Sequence, residues 1–481
     1  MLSTISDVLW IIYVILLIIF ILVLLYSIVY PEASITNIFN NVTNEDEEVF
    51  EGDDECHDDY GDQDQDPESI IYNDYKPVKH HIKINKLSED EIDEVSTNNT
   101  TFNYDDFIEI HQDQDFLSNY RDALNISFTE KLKLYIRMKS EVYRDIKAAE
   151  VKYTNDLYQQ HDTTLERLKS NKGIFETIIS ILNNRIKNNT IQTIKRNFKM
   201  MINNKKHGFK SLVGREKVKD FLALQIFTFS RTPRTFYTIY QNMYIDGKSG
   251  IGKTKTAETI GYIYSKSGIL VRHKFRVIGA EDLTSKYVND SAKITNDIFM
   301  SCLEGILFID EAYQLAVDGV LGLKGGNHNS EAVTELVRLT GIYKGLSVVV
   351  FAGYKREMKG LMNANKGLSG RFPHHIHLKK YEGTQLTDIL ILFIKNIMTD
   401  IHISQNDANT IYTLIDELYT KDKKIFDGQA RDMENLSGHI SRSINGNKKR
   451  TWINDKTKNN SVLIFNGFRT YLRPKGISLG K

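Results

Sequence analysis

The stretch "IDGKSGIGKTKTA", Ile245 to Ala257, packs three glycines and three lysines into thirteen residues. Backbone freedom beside positive charge is what a loop wrapping an anion needs and what an ordinary turn does not. Gly247, Lys248, Ser249, Gly250, Ile251, Gly252, Lys253 and Thr254 satisfy the pattern G-x-x-x-x-G-K-[ST] at every fixed position. An apolar run, "NMYID", precedes it, and "KTKTAETIGYIYSKSG" follows with helical spacing and a glycine stop. Strand, loop and helix in that order place the segment in an α/β fold with a parallel sheet and crossover helices. The glycines let successive backbone N–H groups turn inward, and the following helix adds its positive N-terminal end. Lys253 is expected to reach the β- and γ-phosphates of ATP, and the Thr254 hydroxyl to ligate Mg²⁺.

Such a site needs a second segment, an apolar strand ending in acid. "GILFIDEAYQL" supplies it, with Ile306 to Ile309 continuously apolar and then Asp310 and Glu311. Burial on both faces of a parallel sheet accounts for the unbroken run. Asp310 is expected to hold Mg²⁺ at the strand's carboxyl end, and Glu311 to polarise the attacking water as general base.

The chain has 481 residues and a formal net charge of zero, which conceals a segregation. Residues 1–75 hold 17 acidic side chains and no Lys or Arg, so the remainder is strongly basic. Val8 to Tyr30 runs 23 residues without a charge. At ~1.5 Å per helical residue it is long enough to cross a ~30 Å hydrocarbon layer, so residues 1–30 read as a single-pass membrane anchor. Residues 45–68 hold 14 acidic residues in 24, and the 31–100 segment reads as an extended acidic linker. A calcium loop there fails on spacing, because Cys56 and Tyr60 fall where carboxylates should stand. Two cysteines exclude a disulfide framework and suit a reducing compartment.

Residues 101–205 read as helices. Leu132, Tyr135, Met138, Val142, Ile146 and Ala149 recur at spacings of three and four, as do Leu157, His161, Leu165 and Leu168, and a helical hairpin would bury that stripe. From Arg185 to Lys219 there are 11 basic residues against one acidic. Solvated helix faces are the simplest reading; an anionic membrane surface, nucleic acid or the acidic linker could also answer that charge, and no specific nucleic-acid partner is expected.

"GILFIDEAYQL", "VVVFAGYKREM" and "GLSGRFPHHIHL" resemble the CbbX/CfxQ branch of the AAA+ ATPases, the Rubisco-activase-like group that includes stage V sporulation protein K. The resemblance covers roughly residues 206–450. It implies an αβα P-loop nucleotide-binding domain over 206–380, a C-terminal helical lid over 381–450, a tail over 451–481, and assembly into a ring, commonly a hexamer. By the same resemblance Arg371 in "SGRFP" is an arginine finger acting in trans, and Arg431 in "GQARDMENL" a lid residue over the same chain's nucleotide. "SKYVNDSAK" resembles a central-pore loop, with Tyr287 and Val288 gripping a substrate polypeptide; Asn289 stands where many pore loops have glycine. The expectation is a membrane-anchored ATPase, its body cytosolic, that remodels an unidentified protein client. The alternative is a scaffold that assembles on ATP and recruits partners without substantial turnover.

Overall fold

The computed structural model of the chain describes residues 102–154, 163–285, 290–316, 327–397, 403–448 and 461–479. The expected membrane anchor, the acidic linker and the Tyr287–Val288 loop lie outside the described residues. No helix among the described residues is long and apolar enough to cross a membrane.

Five parallel strands form one sheet: β1 (Met243–Asp246), β2 (Phe275–Gly279), β3 (Ile306–Asp310), β4 (Val348–Gly353) and β5 (His374–His377), in the order β2-β3-β4-β1-β5. The central strands β3 and β4 are apolar along their length because helices cover both faces, and Leu307, Phe308, Val349 and Phe351 are fully buried. On the edge strand β2 that rule relaxes, and Val277 is half exposed. Register sets the strand ends level: Ile309 pairs with Phe351 on one side of β4, and Asp246 with Gly353 on the other.

Ahead of the sheet come α1 (Tyr104–Ile110), α2 (Gln114–Thr154), α3 (Thr163–Lys187), α4 (Ile191–Asn203) and α5 (Glu216–Arg231). Crossover helices α6 (Lys253–Ser267), α7 (Asp290–Ser301), α8 (Asn327–Ile342) and α9 (Lys355–Ala364) connect the strands. After β5 follow α10 (Gly383–Ile397), α11 (Gln405–Lys421), α12 (Ala430–Lys448) and α13 (Ser461–Leu472). Part of the segment expected as tail is therefore helical, and it buries Ile464, Phe468 and Leu472 against the preceding helices.

Helices α2 and α3 pack along one another, with Lys139–Glu176 and Lys169–Glu150 ion pairs crossing in an antiparallel sense. The predicted stripe faces inward: Tyr135 and Ile146 are buried, and Leu132, Met138 and Val142 pack against the same core. Leu157 and His161 fall outside the described residues.

This helical region is not an appendage on the sheet domain. Lys131 of α2 is fully buried and pairs with Glu304, also fully buried, at 2.5 Å. The same ammonium donates to the Ile269 carbonyl at 3.0 Å, while Glu304 also accepts from Tyr135 Oη and from the Val271 N–H, each at 3.1 Å. Burial pushes the Lys131 ammonium down, and Glu304 opposes that shift. About three turns earlier along the same helix, Tyr120 donates to the carbonyl of Ser267, at the end of α6, at 2.8 Å. Taking two ions out of water is costly, and only a fully hydrogen-bonded arrangement such as this repays it.

Lys131→Met leaves the Glu304 carboxylate buried without its cation and is expected to lower the unfolding free energy by about 3–5 kcal/mol. Pairing it with Glu304→Gln should recover a substantial part. Urea denaturation followed by circular dichroism measures both.

Candidate functional site

The phosphate loop joins β1 to α6, and its backbone takes conformations that side chains resist. Gly250 has φ +71° and Gly252 φ +89°. A Cβ on Gly250 would collide with the carbonyl oxygen of Gly428, on the turn before α12. Glycine is thus required here twice, by dihedral angle and by the close approach of the lid.

The loop opens onto a cavity of about 500 Å³. Ser249, Gly250, Ile251, Gly252, Lys253 and Thr254 line one side, and Asp310 and Glu311 lie at the end of β3. Because β4 separates β1 from β3 by a single strand, the two segments read from the sequence converge although 57 residues separate Lys253 from Asp310. Lys253 Nζ donates to the carbonyls of Gly247 and Lys248, both at 3.1 Å. Burial lowers the affinity of that ammonium for its proton, and the nearby Asp310 and Glu311 charges oppose the shift. A partly buried cation whose hydrogen-bond acceptors are loop carbonyls suits the oxygens of a polyphosphate, which accept only. The residues present therefore fit a nucleoside triphosphate, and Thr254 with Asp310 offers oxygens for a divalent cation.

Glu311 occupies the left-handed region at φ +48°, a strained setting for a side chain that bears a Cβ. Its Oε2 accepts from Tyr313 Oη at 2.8 Å and from Gln314 Nε2 at 3.0 Å. Burial and the Glu311 carboxylate together push the Tyr313 hydroxyl far above its ordinary range, so it remains a donor. Tyr354, after β4, places its ring 5.3 Å from Lys253 Nζ.

The lid meets the loop through main chain. The Ala430 N–H donates to the Gly250 carbonyl at 3.0 Å, and Arg431 donates to Ser249 Oγ at 3.1 Å. The start of α12 is itself fixed from behind. Asp432 accepts from the Gly428 N–H at 2.8 Å, from Tyr471 Oη at 2.6 Å and from Lys475 at 3.2 Å.

Gly247, Lys248 and Arg371 do not line this cavity. Lys248 points to the lid, with Nζ 3.7 Å from Asp427. Arg371 does not line the cavity of its own chain. It donates to the Gly367 carbonyl at 3.0 Å, and its Nε is buried without a hydrogen-bond partner among the described residues.

Several contributors were not legible in the sequence. Arg215 donates to the carbonyls of Ile251 at 2.9 Å and Lys379 at 2.8 Å, with its guanidinium 3.8 Å from the Tyr381 ring, so it braces the phosphate loop from below. Val213, Ile389 and Phe393 give the cavity an apolar wall. Asp246, one residue before the loop, is buried against β5. His375 Nε2 lies 2.6 Å from one of its oxygens, and His377 Nδ1 contacts the other. Burial would raise the Asp246 carboxyl, but the two histidine hydrogen bonds prevail and hold it below its ordinary value. An arginine or an acid next to a loop carries no sequence signal comparable to the glycine pattern.

Residues 243–380 match the family described as "ATPase family associated with various cellular activities (AAA)". Among curated proteins, the chain is 37% identical over 152 residues to stage V sporulation protein K of Bacillus subtilis, covering 31% of this chain and 44% of that protein. It is 30% identical over 157 residues to a CfxQ homolog of Pyropia yezoensis, 32% of this chain and 50% of the other. Against the ESX-3 secretion system protein EccA3 of Mycobacterium tuberculosis it is 31% identical over 143 residues, 30% and 22% of the two chains. The chain thus spans half or less of the length of these relatives.

Gly250→Ala is expected to part the lid from the phosphate loop and to weaken binding of a fluorescent ATP analogue at least tenfold. The far-ultraviolet circular dichroism of the variant should match that of the parent chain.

Proposed function

Residues 243–380 belong to the AAA family in its CbbX/CfxQ-like branch, and on that premise we propose that the chain hydrolyses ATP to remodel a partner protein. The observation that carries the reading is the single cavity onto which Lys253, Thr254, Asp310, Glu311 and Arg431 all face. Bound ATP with Mg²⁺ supplies the phosphoanhydride bond to be cleaved and the cation that shields its charge.

The chain's own residues then have separable tasks. Gly247–Thr254 offers backbone N–H groups, Lys253 an ammonium and Thr254 a hydroxyl, while Asp310 would hold the divalent cation. Glu311 is fixed through Oε2 by Tyr313 and Gln314, which assigns Oε1 to receive the proton of an attacking water. Val213, Ile389 and Phe393 offer an apolar wall for the nucleoside. Arg431 enters from the lid, so closure of α10 to α13 over the loop is coupled to occupancy.

Arg371 lies outside its own chain's cavity with an unsatisfied Nε, which supports a role in a neighbouring subunit's site. A cation supplied in this way is worth ~10³–10⁵ in rate in other nucleotide hydrolases. Assembly into a ring, a hexamer by family resemblance, follows from that role. Residues 8–30 would anchor the ring in a membrane, with the body on the cytosolic side, where ATP is. The client is a protein, and no specific nucleic acid is required.

In the full chain, Lys253→Ala is expected to abolish ATP binding. Glu311→Gln should retain binding and lose hydrolysis by at least ~10²-fold. Equal turnover by the parent and Glu311→Gln chains would instead favour a scaffold that assembles on ATP without spending it. Mixing Arg371→Ala with Glu311→Gln chains should restore part of the lost activity if the arginine acts in trans, and none if it acts within its own chain. Protease protection in sealed vesicles reports the orientation of residues 31–481.

A further inference from the structure

We propose that a second cavity, between the α3–α4 junction and the C-terminal end of α6, binds a phosphorylated anion. The space measures about 270 Å³ and shares no lining residue with the nucleotide cavity. The two lie at opposite ends of α6, whose fifteen residues span roughly 22 Å at ~1.5 Å per residue.

The case rests on positive charge that no acidic lining residue answers. Arg185, Lys266 and His273 line the cavity, together with the side-chain amides of Asn184, Asn188 and Asn197, and no Asp or Glu lines it. Arg196 lies close enough to act on Lys266. Among the described residues, no carboxylate comes within ion-pair distance of Arg185, Lys266 or Arg196.

Two partial compensations exist, and both are used up. The C-terminal end of α6 presents about half a negative charge, and Arg185 already donates to the Ser265 carbonyl there at 3.1 Å. Glu304 acts on Arg185 through the interior, yet its carboxylate is bonded to Lys131, Tyr135 and the Val271 N–H. Lys266 and Arg196 are left over. Burial together with Arg185 and Arg196 drives the Lys266 ammonium toward losing its proton. An anion in the cavity would reverse that pressure.

The donor set selects the kind of anion. The remaining Arg185 N–H groups, the Lys266 ammonium and the Asn184 and Asn197 amides line the cavity as donors, which suits the acceptor-only oxygens of a phosphoryl group. At roughly 30 Å³ per water, the cavity holds about nine waters, enough for a phosphate with a small body. A nucleic-acid duplex needs an open surface and would not enter. The phosphoryl group could belong to a soluble metabolite or to a lipid headgroup.

The test is calorimetric titration of the full chain with inorganic pyrophosphate, in a Lys253→Ala background that removes phosphate binding at the nucleotide loop. Binding in the sub-millimolar range is expected. Adding Lys266→Glu should weaken it at least tenfold, and adding the exposed Arg196→Glu should weaken it several-fold, with melting temperatures of the unliganded chains unchanged. No uptake of pyrophosphate by the Lys253→Ala chain up to about 10 mM overturns the assignment, as does uptake that neither added substitution alters. Cosedimentation of the full chain with phosphatidic acid vesicles is compared with that on phosphatidylcholine alone. Loss of phosphatidic acid preference on Lys266→Glu identifies a headgroup source. Pyrophosphate binding without any such Lys266-dependent preference identifies a soluble one.

Discussion

Everything at the nucleotide cavity depends on parallel pairing of β4 between β1 and β3. A parallel sheet brings the carboxyl ends of its strands to one edge, and a single intervening strand sets the loop after β1 beside the acids after β3. Lys253, Asp310 and Glu311 are then neighbours by topology, with no direct bond needed to hold them together. The apolar character of β3 and β4 follows from the same constraint, since helices must cover both faces for the pairing to persist.

Around that arrangement the structure adds three braces, each on a different side of the phosphate loop. Arg215 holds the Ile251 carbonyl from below, Asp246 ties the strand before the loop to β5, and Ala430 reaches the Gly250 carbonyl from the lid. The brace through β5 has a particular position in the chain. His375 stands four residues after Arg371, so the segment bearing the finger candidate and the strand feeding the phosphate loop share one buried carboxylate.

The sequence made the site's centre legible and its supports invisible, for a physical reason. The phosphate loop and the Ile306–Glu311 strand carry local patterns, because glycine conformations and two-sided burial restrict residue type position by position. Arg215, Glu304 and Asp246 act through contacts between residues distant in sequence, and any buried ion looks like a surface ion in one dimension. The stripe over α2 was readable as helical and inward-facing, yet nothing in its period said which core it faced. Ser461–Leu472, expected as tail, has an apolar face that becomes intelligible only against α12. Arg371 was readable as a candidate from its setting, while its absence from its own chain's cavity required the fold.

The position of Lys131 bears on modularity. Boundaries drawn to include the matched residues 243–380 and the segment leading into the sheet would begin after the helical region, near residue 206. Such an excised fragment would keep Glu304 in the interior and discard both Lys131 and the Tyr135 hydroxyl that satisfy it. It would also uncover the buried Phe229 ring, which packs against Tyr120. The amino-terminal helices are therefore part of the folding unit that contains the sheet, and a fragment meant to keep that interior satisfied must carry α2 along.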